Sequence, residues 1–161
     1  MAQPAEHGGP LPPPLAVVFA TVTFFALAIA GLGFTSLFLD ADVIAVEGLG
    51  QAPGIVGMIG AGLVFAASLL LAVRTQHPSF WSAPITALAT VLAYAAGVLF
   101  GGALSGADLA ASAVAAGTAM VGWVGIVLFL AALVSAAGGV ALVRSRGGTP
   151  RWRWERDDDA E

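Results

Sequence analysis

The chain has no cysteine and no lysine. The first absence excludes disulfides, thiolate metal sites and thiol chemistry. The second leaves arginine as the only permanently cationic side chain. Charge of either sign is scarce: 10% of the 161 residues are Asp, Glu, Lys or Arg, where an ordinary soluble domain carries about 25%. So few charges cannot clothe a water-facing surface. Their placement says more than their number. None lies between Glu6 and Asp40, between Glu47 and Arg74, between Arg74 and Asp108, or between Asp108 and Arg144; His77, close to Arg74, is the one histidine within these stretches other than His7 beside Glu6.

What fills those gaps is apolar: 58% of the chain is hydrophobic and the mean hydropathy is +0.92. Each gap holds about 20 consecutive apolar or small residues, enough to carry a helix across roughly 30 Å of hydrocarbon. A backbone in lipid must satisfy its own hydrogen bonds, so helices are expected. The alternating strands of about ten residues that build a membrane barrel are absent. The reading is an all-α polytopic membrane protein, a four-transmembrane-helix bundle, with spans over 15–37, 55–73, 85–104 and 120–143. Residues 1–14 form a Pro/Gly-rich tail, 15–146 the single membrane domain and 147–161 a charged tail.

The connections differ in character. The first carries Asp40, Asp42 and Glu47 around a short apolar patch, Val43 to Val46, suited to a membrane surface, and Gly50, Pro53 and Gly54 then break the chain. The second, from Arg74 to Pro84, holds Phe80 and Trp81, which suit an interfacial belt. Residues 105–119 are alanine-rich and only weakly hydrophobic, with Asp108 as an N-cap candidate. They either extend the fourth helix or lie across the outer interface, and extension is the expectation.

Orientation follows from the arginines. Arg74, Arg144, Arg146, Arg151, Arg153 and Arg156 all fall on one side of a four-span model, and the acids of the intervening loops on the other. The positive-inside rule places the arginines, and with them both termini, in the cytoplasm of a bacterial cytoplasmic membrane. Ala28-Ile29-Ala30 resembles a signal-peptide cleavage site, but the leader carries Glu6 and no Lys or Arg. The first span is therefore expected to be retained.

Candidates for chemistry are few. Placing an ionisable residue in the membrane costs at least about 2.5 kcal/mol and usually marks ion or proton coupling. No Asp, Glu, Lys, Arg or His lies in the four expected spans, which argues against a proton antiporter, a proton relay, a voltage sensor and bis-histidine haem ligation. His77 reads as a polar residue in an interfacial turn, and Asp40, Asp42 and Glu47 as acids placed by topology. Ser36, Ser68 and Ser135 have no His or Lys neighbour in sequence, so a nucleophile–base pair is not expected. Such hydroxyls usually bond to their own helix or to a neighbouring one. No catalytic, cofactor or metal site is expected.

The sharper pattern is on the third span. Ala89, Ala93, Gly97, Gly101 and Ser105 recur every four residues and leave one face small along most of its length. Such a groove lets another helix approach to backbone contact. It serves either the protein's own bundle or a different subunit. Ala131, Ser135 and Gly139 make a shorter counterpart on the fourth span. The large residues Phe19, Phe24, Phe25, Phe34, Phe38 and Phe65 are expected to project outward, towards lipid or a partner. Thr90 and Tyr94 are one turn apart and are candidates for a polar lining. Arg74, Trp81, Arg144, Arg146, Trp152 and Trp154 are expected interfacial anchors. A shift of 65 residues matches Val56, Gly57, Gly60 and Leu63 to Val121, Gly122, Gly125 and Leu128, a hint of duplicated hairpins that chance in Ala/Gly/Val-rich helices also produces.

The four-span plan and the Arg151-to-Glu155 tail resemble short, uncharacterised membrane proteins of actinobacteria, some of which end in Arg-, Trp- and Glu-rich tails. The resemblance implies the topology and no activity. Taken together, these features point to a non-catalytic accessory or scaffold subunit whose partners are the lipid bilayer and other membrane helices, of other subunits or of itself. Nucleic acid is not an expected partner. The alternative is a small oligomeric permease or channel for a neutral solute, lined by Thr90 and Tyr94.

Overall fold

A computed structural model describes residues 12–41, 43, 50–74 and 79–144. These form five helices, α1 (Pro13–Leu39), α2 (Ala52–Arg74), α3 (Ser82–Leu104), α4 (Leu109–Val121) and α5 (Trp123–Arg144), with no strand among the described residues. Helices α1, α2, α3 and α5 are each long and apolar enough to cross a membrane.

Three of the helices begin earlier than the apolar runs suggest, because proline sits in their first turns. Pro13 and Pro14 open α1, Pro53 lies one residue inside α2 and Pro84 two residues inside α3. The first-turn N–H groups have no intrahelical partner, so proline removes nothing there and presets the backbone angle. Pro53 and Gly54 thus start α2 where a break was expected. The ends are turned by left-handed residues. Asp40 (φ 49°) closes α1, its N–H donating to the Ser36 carbonyl, and Gly106 (φ +76°) turns the chain after α3. Across that second turn the N–H of Ala107 donates to the carbonyl of Gly102 at 3.1 Å.

The four long helices form a closed ring in the order α1–α2–α3–α5. α1 touches α2 and α5 but not α3. Facing residues give the direction of each pair. Gly57 meets Gly97 and Pro53 meets Gly101, while Ala20 meets Gly139 and Val127 meets Gly31. As one number rises the other falls, so these neighbours are antiparallel. The Arg144 guanidinium lies 4.9 Å from the centre of the Phe80 ring, which sets the end of α5 beside the start of α3. The described charges are therefore sorted by end: Arg74 and Arg144 at one, Asp40 and Asp108 at the other.

The core is a mixture of a few large side chains and many small ones. Phe24, Phe65, Leu69, Leu128, Val98 and Val140 are fully buried among Ala28, Ala61, Ala87, Ala132 and Ala136. This corrects the outward assignment of the phenylalanines. Phe24 and Phe65 stack on each other in the centre, and the half-buried Phe25 packs its ring over Gly62. Only Phe19, Phe34 and Phe38 of that group are exposed. The reason is volume. Helices lined with alanine and glycine come close together along some lines and leave gaps along others, and large rings fill the gaps.

The second correction concerns residues 105–119. They do not extend the fourth span. Residues Leu109–Val121 form a separate helix, α4, and Gly122 (φ −80°, ψ −178°) is extended before α5 starts at Trp123. A continuous helix over both would be about 54 Å long, whereas α5 alone is about 33 Å, close to the other three long helices. At the corner α5 passes so close to α4 that a Cβ on Gly125 would run into the carbonyl oxygens of Met120 and Ala119. α4 packs on α3 and α5 only, burying Ser112, Ala115 and Ala119. Asp108 occupies the N-cap position but makes no side-chain cap; its carbonyl accepts from the backbone N–H and the hydroxyl of Ser112.

Candidate functional site

The small stripe on α3 lies against α2. A Cβ built on Gly97 would stand 2.6 Å from the Gly57 Cα and 3.0 Å from the Val56 carbonyl oxygen, and one on Gly101 would stand 2.8 Å from the Pro53 Cα. A Cβ built on Gly60 would in turn stand 3.5 Å from the Ala93 carbonyl oxygen. The α2 and α3 backbones are in direct contact here, and Gly97 and Gly101 are covered from within the chain. Of the remaining stripe residues Ala89 is half-buried and Ser105 exposed. The side chain that bounds the seam is Tyr94, 2% exposed, whose ring lies beside Gly57.

Thr90 is fully buried and its hydroxyl donates to the Thr86 carbonyl at 2.7 Å, one turn back in its own helix. Thr21, Thr23, Ser68 and Thr118 do the same within their helices. Ser135 differs. It is 2% exposed, and its Oγ is the one buried side-chain polar atom among the described residues without a hydrogen-bond partner. It lines a groove of about 390 Å³ between α1 and α5, with Phe19, Thr23, Gly138 and Leu142 among the other walls. A second groove, of about 280 Å³, is lined by apolar residues and lies where α3 meets the α4–α5 corner, between Leu88, Leu92, Met120 and Phe129. Neither groove is lined by Thr90 or Tyr94.

Among the expected anchors, Arg74 and Trp81 are exposed at one end of the ring and Arg144 covers the Phe80 ring there. Arg146, Trp152 and Trp154 lie outside the described residues, as do His77, Asp42 and Glu47. Val43, from the apolar patch of the first loop, is half-buried and packs against the core. Among the described residues no three His, Asp or Glu side chains gather as a metal site would require. The sequence marked Ser135 as part of a small stripe. It carried no sign that this hydroxyl, unlike its counterparts, would lack a carbonyl partner, since that depends on which rotamer the α1–α5 packing leaves.

The family model of a family of unknown function (DUF6121) matches residues 14–161, nearly the whole chain, and the chain belongs to that family. No curated protein and no solved structure matches it.

Proposed function

We propose that this member of the DUF6121 family is a non-catalytic subunit or scaffold of a bacterial cytoplasmic membrane, crossing it four times through α1, α2, α3 and α5 with both termini in the cytoplasm. The observation that carries the reading is the sorting of charge along the bundle. Arg74 and Arg144 end their helices at one end, where Arg144 lies over the Phe80 ring, Asp40 and Asp108 lie at the other, and about 30 Å of uncharged packing separates them. The positive-inside rule then assigns the arginine end to the cytoplasm.

Two further features favour a packing role over catalysis or transport. The buried hydroxyls of Thr90 and Ser112 bond within their own helices, which leaves them no free hydrogen for a solute. Thr90 and Tyr94, the lining a permease would use, are enclosed in the core rather than set along an open path. Because α2 covers Gly97 and Gly101, a partner subunit would dock elsewhere than on the α3 stripe.

Topology is tested on the cysteine-free background. Ser105→Cys should react with an impermeant maleimide added to intact cells, and Ser79→Cys only after the membrane is opened; equal reaction of both in intact cells would remove the four-span reading. For the scaffold role, mild-detergent purification with mass measurement should return a complex of fixed stoichiometry, of this chain or with other membrane proteins. A monomer that moves a neutral solute across liposomes, with loss of flux in Thr90→Val and Tyr94→Phe, would replace it with the permease reading.

A further inference from the structure

We infer that the α3–α5 face of the bundle binds an anionic phospholipid of the inner leaflet, with its headgroup phosphate on Arg144 and an acyl chain entering the apolar groove below. The inference rests on the membrane reading above and names the occupant of one of its surfaces.

The head of the site is built on Arg144. Its guanidinium is held over the Phe80 ring, 4.9 Å from the centre, a contact that fixes the cation and supplies no acceptor oxygen. Among the described residues nothing accepts a hydrogen bond from it, and the acids Asp40 and Asp108 lie at the far end of the bundle. A guanidinium carries five N–H donors in a planar fork that matches a phosphate. Set at the membrane boundary with no described carboxylate to pair with, it favours an anion. Arg74, exposed at the same end, adds to the positive potential. Trp81 is exposed next to Phe80, at the level where indole rings meet headgroups.

Helical spacing carries the same face down into the hydrocarbon. Leu88 and Leu92 follow Trp81 by seven and eleven residues, about two and three turns, and all three side chains are exposed. On α5, Ile126 precedes Arg144 by 18 residues and Leu130 by 14, about five and four turns. Leu88, Leu92, Ile126 and Leu130 are walls of the 280 Å³ groove, so the groove lies below Arg144 and not on another side of the bundle. Along α3 it opens about 12 Å from Phe80 at Leu88, and Leu92 is about 18 Å away. An acyl chain of one leaflet descends about 15 Å, half of the hydrocarbon core, and so reaches this mouth. A groove alone would admit any lipid tail, and an arginine alone any phosphate. Both on one face, a leaflet's depth apart, fit a molecule that carries the two.

The full-length protein in mild detergent, offered equal amounts of dioleoylphosphatidylglycerol and dioleoylphosphatidylcholine, tests this by native mass spectrometry. The anionic lipid should be retained about fivefold more strongly, the effect of one basic side chain near the headgroups. Arg144→Gln should abolish that preference. Arg74→Gln, the same loss of charge on a helix that does not line the groove, should keep it. Leu92→Trp, which fills the groove, should weaken retention of the dioleoyl lipid and leave the short-chain dihexanoylphosphatidylglycerol unaffected. Equal retention of the two dioleoyl lipids overturns the proposal, as does an equal loss in both arginine variants, which would mean diffuse surface charge. So does full retention in Leu92→Trp, which would detach the groove from the headgroup site, and so does displacement by an equimolar amount of inorganic phosphate, which would make Arg144 a free-anion site. If maleimide labelling keeps its four-span pattern while the lipid preference fails, only the lipid site falls; if the labelling pattern fails too, the membrane reading falls with it.

Discussion

The rings of Phe24 on α1 and Phe65 on α2 stack with centroids 4.8 Å apart and planes 14° from parallel, and both side chains are fully buried. Around them the helices present many alanines and glycines, so this pair is among the largest side chains filling the core. Phe65→Ala should destabilise the bundle by about 2–3 kcal/mol. That is below the usual cost of a core Phe→Ala change, because the detergent around the helices in this measurement is as apolar as the core and only the cavity and lost contacts remain. A double-mutant cycle with Phe24→Ala, followed by thermal unfolding in detergent, should show coupling of about 0.5–1.5 kcal/mol. Phe38→Ala, at an 84% exposed position, should stay within about 0.5 kcal/mol of wild type.

Gly97 is a second sensitive position. Even a methyl group there collides with the Gly57 backbone, and backbone cannot step aside as a flexible side chain can. Gly97→Ala should cost about 1–3 kcal/mol, and Gly97→Leu should prevent folding rather than merely dissociate a partner. Gly33→Ala, where a Cβ meets open space, is the control and should be neutral or slightly stabilising, as alanine favours helix by about 1 kcal/mol. Equal melting temperatures for Gly97→Ala and Gly33→Ala would refute direct backbone packing between α2 and α3.

The α4–α5 corner depends on Gly125. A side chain there pushes on the carbonyls of Met120 and Ala119, so Gly125→Ala should lift α4 off α3 and leave the four long helices assembled. The measurable outcome is faster reaction of a cysteine at Ala115, a position that is 4% exposed, with little change in the melting temperature. An unchanged reaction rate would show that the corner tolerates a wider turn.

Arg144 over Phe80 ties the end of α5 to the start of α3. The pair lies at the exposed end of the bundle, where such a contact contributes about 0.5–1 kcal/mol. Phe80→Leu should lower stability by about that amount, and combining it with Arg144→Gln should add little. Full additivity of the two substitutions would mean that the ring and the guanidinium do not interact.

The hint of duplication illustrates how an Ala/Gly/Val-rich sequence can mislead. The shift of 65 pairs Leu63 with Leu128, yet Leu63 is 67% exposed and Leu128 fully buried. In the bundle Leu69 meets Gly139 and Arg74 and Arg144 both end their helices, so residues at one level are 70 apart. Repeats about an axis along the membrane normal would place their equivalents at one depth. The matched strings are five residues, about 7 Å, out of step, and the structure gives them no common role.

The number and approximate bounds of the long helices, and the separation of arginine from aspartate along the chain, were determined by the sequence alone. Burying a charge in hydrocarbon is expensive whatever its neighbours, so the gaps between charges mark the helices without reference to any partner. Which face of each helix turns inward was decided only by the tertiary structure. In a water-soluble bundle, polarity distinguishes the two faces. Here both are apolar, and Leu63 outside and Leu69 inside are chemically the same residue. Shape alone, through the backbone approach at Gly57 and Gly97 and the gap filled by Phe24 and Phe65, separates core from surface. The same holds for Gly122 and Gly125, where only the close passage of α5 past α4 reveals the break.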